Sequence, residues 1–160
     1  MNWVPWEEYQ KGLPKKRMGS GALFWDKRGH FLLLKQSYRN YWTIPGGVVD
    51  ENESPRQAVV REIKEELNLD VKVKQLLAVS YNTAKGDVNE NLQWIFYGGV
   101  LTEKEKKKIK IDGEEIIDFR FVPVEEVDEL TQRDLAIRLR MYRKALKSGM
   151  ACYLEDWKLK

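Results

Sequence analysis

The chain has 160 residues, 42% of them hydrophobic and 33% charged, a balance that excludes a disordered or fibrous chain and suits one domain with a buried core. The net charge of +3 is too small to demand a nucleic-acid partner, although it suits anionic ligands. The one cysteine, Cys152, excludes an internal disulfide, and no apolar run approaches the roughly 20 residues of a membrane span.

In chain order, residues 1–18 read as an irregular arm with Pro5 and Pro14. Its acidic, aromatic start, MNWVPWEEYQ, lacks the basic-then-apolar order of a secretory leader, and the cytoplasm is the expected compartment. SGALFWD and HFLLLKQS read as two strands joined by the hairpin loop DKRGH, and YWTIPGGVV as an extended stretch that turns at Pro45, Gly46 and Gly47. A helix follows from about Pro55 to Leu67. Ser54 is its N-cap, Pro55 its first residue, Gln57 completes a capping box, and Asn68 is the left-handed C-cap with Leu69 beyond it. VKVKQLLAVSYNT and NLQWIFYGGVL read as strands on either side of a GDVNEN loop, and TEKEKKKIKIDGEE as a charged excursion. IDFRFVPV is a further strand and PVEEVDEL starts a short helix. TQRDLAIRLRMYRKALKSG is the last long helix, with Thr131 as cap and Gly149 as stop. The pattern predicts a single domain over 1–160 of the α/β or α+β sandwich class, a mixed sheet packed between helices, with a tail over 150–160.

The helix at 55–67 poses a physical problem. At about 100° per residue, Glu62, Glu65 and Glu66 project within an arc of about 100°, beside an apolar stripe of Val59, Val60, Ile63 and Leu67. Like charges at such spacings each cost roughly 0.2–0.5 kcal/mol. Arg61 can brace one of the carboxylates, but three acids behind a Pro-Gly-Gly turn suit a hard divalent cation, which takes oxygen ligands and turns the repulsion into attraction.

These residues carry a resemblance. Gly47, Glu53, Arg61, Glu62, Ile63, Glu65, Glu66 and Leu69 match the Nudix hydrolase pattern G-x(5)-E-x(7)-R-E-U-x-E-E-x-G-U, in which U is a bulky aliphatic residue. Asn68 replaces the last Gly, and Asn also adopts the left-handed conformation readily. The resemblance implies the Nudix fold and hydrolysis of the diphosphate linkage in a nucleoside diphosphate joined to a group X. It also implies Mg²⁺ or Mn²⁺ on Glu62, Glu65 and Glu66, with the Gly46 or Gly47 carbonyl as a further ligand. Glu53 and Arg61 then support the loop–helix geometry. Glu115, with Glu114 second, corresponds to the loop acid that often acts as general base, ahead of a strand with Arg120.

The substrate is less legible. Lys35 and Arg39 could reach phosphates, and Trp42, Tyr81, Trp94 or Phe96 could stack on a base. Ala84 and Lys85 stand where ADP-ribose hydrolases resemble one another in a proline. Two other readings stand beside a small nucleotide substrate such as a nucleoside triphosphate or a damaged nucleotide. One is an RNA 5′-end pyrophosphohydrolase or RNA binder, drawn from Arg133, Arg138, Arg140, Arg143, Lys144 and Lys147, although these spread around the last helix. The other is a non-catalytic sensor, against which the intact carboxylate set argues. A monomer or homodimer without a membrane partner is expected. His30, in a hairpin loop, and Cys152, with no His or Cys nearby, carry no site.

Overall fold

The computed structural model describes residues 4–156, 158 and 159, so the start of the arm expected over 1–18 and part of the tail lie outside the described residues. Two helices sandwich a sheet. The carboxylate helix, α2 (Pro55–Leu67), covers one face and α5 (Arg133–Ser148) covers the other. Both are amphipathic, and each buries its apolar stripe against alternating strand residues.

The strands are β1 (Arg17–Trp25), β2 (Phe31–Gln36), β3 (Trp42–Thr43), β4 (Gly46–Val48), β5 (Leu76–Asn82), β6 (Asn91–Val100), β7 (Ile116–Val122), β8 (Cys152–Glu155) and β9 (Lys158–Leu159). Their order is β3-β2-β1-β6-β5-β8-β9, with β4 pairing β1 and β7 pairing β2. β1 pairs β6 in parallel and β2 pairs β7 antiparallel. Alternation sorts the core. Ala22, Phe24, Leu32 and Leu34 face α2 with Val59, Ile63 and Leu67. Leu23, Trp25, Phe31 and Leu33 face α5 with Leu135, Leu139 and Tyr142. The α+β sandwich read from the sequence is the observed architecture.

Several local expectations change. The hairpin expected of β1 and β2 closes only at Trp25 and Phe31, because β1 gives the rest of that edge to β4 through Gly19–Val48, Ser20–Gly47 and Gly21–Gly46. The two strands therefore splay, leaving β4 and the start of α2 between them. Within the arm, Trp6–Lys11 form a short helix, α1, and β1 already begins at Arg17. Residues 71–75, expected as strand, lie outside β5, which starts at Leu76. The charged excursion holds a one-turn helix, α3 (Glu103–Lys106), with a Thr102–Glu105 capping box. The tail is a strand, as β8 pairs in parallel with β5. Thr131 does not cap α5. Its hydroxyl donates to Val127 O at 2.8 Å, closing the short α4 (Val127–Leu130), and Gln132 takes the N-cap position without a side-chain bond. Gly149 ends α5 in the left-handed conformation as expected. No described helix is long and apolar enough to cross a membrane.

Candidate active site

The launch of α2 is built as its sequence dictates. Ser54 Oγ accepts from Gln57 N, Gln57 Oε1 accepts from Ser54 N at 2.9 Å, and Asn68 closes the helix at φ 54°. The turn before it needs Gly46, while Gly47 makes room for a side chain. Gly46 sits at φ 133°, where a Cβ would fall 2.2 Å from Ser20 O, and at Gly47 a Cβ would fall 2.3 Å from Glu62 Oε1. The bare backbone of this turn lets the Glu62 carboxylate lie directly against it.

The three helix carboxylates lie in different environments. Glu65 is 59% exposed, Glu62 is half-buried, and Glu66 is only 7% exposed. Glu66 falls at the border between the acidic arc and the apolar stripe, so packing of Ile63 and Leu67 carries it inward. Among the described residues its one hydrogen bond comes from Gly46 N–H to Oε2 at 2.8 Å. Burial pushes the Glu66 carboxyl up to about 8. The Gly46 N–H opposes this, and Glu62, Glu115 and Glu65 add to it. Burial raises Glu62 too, against the pull of Arg61, with Glu65 and Glu115 adding repulsion.

Arg61 ties the cluster to its turn. Its Nε and Nη2 each meet a Glu53 oxygen at 3.0 Å, Nη1 reaches Glu62 Oε1 at 2.9 Å and Glu65 Oε2 at 3.1 Å, and Nη2 also reaches Val48 O. The Glu53 pairing, bidentate and charge-assisted, holds the Glu53 carboxyl below its ordinary range and fixes the guanidinium plane. Glu53 in turn accepts from Asp50 N at 3.2 Å, which braces the loop between β4 and α2.

Glu115, from the other side of the splayed strands, completes the acidic set. Its charge bears on both Glu62 and Glu66. Ser37 N donates to its carbonyl at 2.9 Å, and Asp112 Oδ1 accepts from Glu114 N and Ile116 N, which shapes the loop into β7. Tyr38 Oη donates to Glu115 Oε1 at 3.1 Å. Tyr38 escaped the sequence reading, because nothing in the local string SYRNYW links it to an acid 77 positions away.

The expected substrate residues are placed unevenly. Lys35 Nζ donates to Arg39 O at 2.6 Å, which ties it to the turn after β2. The Arg39 guanidinium lies 5.5 Å from the Tyr38 ring centre and 5.6 Å from that of Tyr41, in the turn after β2. Trp42 does not present a free face. It is 7% exposed, belongs to the α5-side core, and has Arg120 stacked 4.7 Å from its ring centre. Phe96 is buried under Arg56, while Tyr81 hydrogen-bonds Glu90 and Trp94 is half-buried against the α2-side core. On α5, Arg140 pairs with Asp128, and Arg140, Arg143, Lys144 and Lys147 border one shallow hollow with Val124. Arg133 and Arg138 do not border it. Cys152 lies half-buried in β8 and His30 beside Asp26 in the β1–β2 loop.

The donor chemistry fits a hard divalent cation. Every candidate ligand is oxygen, and Glu66 is a buried acid served by a single N–H. As placed, Arg61 takes up oxygens of Glu62 and Glu65, and among the described residues no three His, Cys, Asp or Glu side chains converge closely enough to hold a metal ion.

With this geometry in hand, known proteins supply a frame. The family profile described as NUDIX domain matches residues 15–144. An RNA pyrophosphohydrolase of Hydrogenovibrio crunogenus is 31% identical over 135 residues, covering 72% of this chain and 81% of its own. Among solved structures, a UDP-X diphosphatase superposes with a TM-score of 0.71 at 18% identity, over 94% of this chain and 75% of its own. The MutT protein of Methanosarcina mazei Go1 superposes at 0.65 and 22%, over 86% and 99%.

Proposed function

The chain belongs to the NUDIX family and is a hydrolase of phosphoric anhydrides, and from that premise we propose that it cleaves the diphosphate linkage of a nucleotide-type substrate with the help of Mg²⁺ or Mn²⁺. The observation that carries the reading is Glu66, a carboxylate buried among Glu62, Glu65 and Glu115 with one N–H to satisfy it. A bound cation removes the cost of that arrangement.

In this reading Glu62, Glu65 and Glu66 would hold the metal, with the Gly46 carbonyl as a further ligand. When bound, it supplies charge neutralisation of the diphosphate and eases deprotonation of the attacking water. Glu115 accepts that water's proton. Arg61, locked by Glu53, orients Glu62 and Glu65. Arg39 meets substrate phosphate, and Lys35 holds the turn that carries it. The buried Trp42 stiffens this region beneath the substrate. Residues 1–160 act as a single domain, and one cysteine suits a reducing compartment such as the cytoplasm.

A panel of nucleoside triphosphates, nucleoside diphosphate sugars and ADP-ribose, assayed with Mg²⁺ and Mn²⁺ in heavy-oxygen water with products identified by mass, tests this. We expect metal-dependent cleavage at one phosphorus. Failure to hydrolyse any of them, together with no metal uptake by calorimetry, removes the reading.

A second reading, action on the 5′-triphosphate end of RNA, is favoured by the relative named RNA pyrophosphohydrolase and by the basic hollow on α5. Pyrophosphate release from a triphosphorylated oligonucleotide faster than from any free nucleotide, weakening steeply with salt, would select it.

A further inference from the structure

We infer that Tyr38 is a positioning residue whose hydroxyl holds the Glu115 carboxylate at the edge of the helix carboxylates. The inference deepens the proposed function and rests on Glu115 as the group that takes the proton. Three observations carry it. Tyr38 Oη donates to Glu115 Oε1 at 3.1 Å, across the turn that follows β2. One residue earlier, Ser37 N donates to the Glu115 carbonyl at 2.9 Å, so that turn grips the acid by backbone and side chain together. Among the described residues no cation pairs with Glu115. Arg61 spends its donors on Glu53, Glu62, Glu65 and Val48 O, so among the described residues the Tyr38 phenol is the side chain that holds the Glu115 carboxylate.

The chemistry suits the task. A base placed beside two like-charged carboxylates is pushed away by them, and an unrestrained glutamate would swing toward solvent. An ammonium or guanidinium partner would restrain it but would also compete with the cation for the negative charge of the site. A neutral hydroxyl restrains one oxygen and leaves the other free to accept a proton. The Tyr38 ring is 63% exposed and flanked by the Arg39 guanidinium, which sits between the Tyr38 and Tyr41 rings. Its orientation therefore rests on the turn itself rather than on the core.

Tyr38→Phe keeps the ring and removes the donor. We expect kcat to fall on the order of tenfold with KM little changed and the thermal midpoint unmoved. In the metal-free protein, the ¹³C resonance of the Glu115 carboxyl, assigned through Glu115→Gln, should shift in Tyr38→Phe. In the Glu115→Gln background the same change should have no further effect on kcat. If Glu115→Gln is inactive while Tyr38→Phe has wild-type kcat and an unshifted carboxyl resonance, the base stands and the positioning role is overturned. If Tyr38→Phe is normal and Tyr38→Ala raises KM alone, the ring packs on substrate and the proposal fails. If Glu115→Gln is fully active, the base assignment fails and the positioning role goes with it.

Discussion

Two acids lie deep in this protein, and opposite things happen to them. Asp26, in the loop between β1 and β2, has a side chain only 1% exposed, and Glu66 on α2 is nearly as buried. Burial works to raise the Asp26 carboxyl as well. It is outweighed by the His30 and Arg28 N–H groups at 3.0 and 2.8 Å and by the Arg28 side chain, with Lys106 Nζ 3.6 Å away, and the group settles at about 2. Glu66 receives one N–H and faces three other acids, and it settles at about 8. The difference teaches what each carboxylate is for. A buried acid surrounded by donors belongs to the fold, whereas one left short of donors among its own kind is the acid that the proposed function gives to a cation.

Four substitutions can break or sharpen that contrast. The largest effect is expected from Glu66→Gln, which should cut turnover by more than about a hundredfold while leaving the metal-free thermal midpoint unchanged or raised, since a neutral amide escapes the cost of burying an ionisable acid there and adds no charge beside Glu62, Glu115 and Glu65. Full activity in this variant, measured on any substrate of the panel, would erase the distinction between the two acids. Gly46→Ala comes next. Its Cβ meets backbone at 2.2 Å in a conformation that disfavours side chains, so a loss of about 3 kcal/mol or failure to fold is expected, read from urea unfolding.

Asp26→Asn should cost about 2 kcal/mol, a fall of roughly 4–8 °C in thermal midpoint, with kcat unaffected. The pH dependence has a definite sign. The Asp26 carboxyl titrates lower in the folded chain than its ordinary 3.8, so its contribution is complete above about pH 4 and fades as pH falls through 2. The stability gap between wild type and Asp26→Asn should therefore narrow between pH 5 and pH 2. A gap that stays constant over that range would mean the charge is not what stabilises the loop. The smallest effect is expected of Gly47→Ala. Its Cβ meets only the movable end of Glu62, so stability should change little while kcat falls on the order of tenfold as that carboxylate is displaced.

What could be read from the sequence follows the range of the interactions. The bounds and caps of α2, from Ser54 to the left-handed Asn68, were legible because every contact that sets them lies within four residues. The acidic face of the helix was legible for the same reason. The helical spacing already sets Glu66 beside the apolar stripe and Glu65 away from it, but not the Gly46 N–H that meets Glu66, because that depends on β4 pairing with β1. The strand β8 was missed because its partner β5 lies about 70 residues away, and Thr131 was misplaced because its hydroxyl serves the end of α4 rather than the start of α5. Tyr38 and Glu115 meet only once β2 and β7 have paired.

The splay of β1 and β2 has a mechanical consequence. The two strands meet at Trp25 and Phe31 and then part, with Gly46, Glu62 and Glu66 on the leaf of β1 and Tyr38 and Glu115 on the leaf of β2. They form a pair of calipers joined at an aromatic contact, with the carboxylate helix carried by one arm and Tyr38 and Glu115 by the other. β2 is six residues long, so its arm spans about 20 Å, and a tilt of about 3° at that contact moves its tip by about 1 Å. The gap between Glu115 and the carboxylate helix is therefore sensitive to the far end of the two strands, where the Trp25 and Phe31 rings lie 5.4 Å apart.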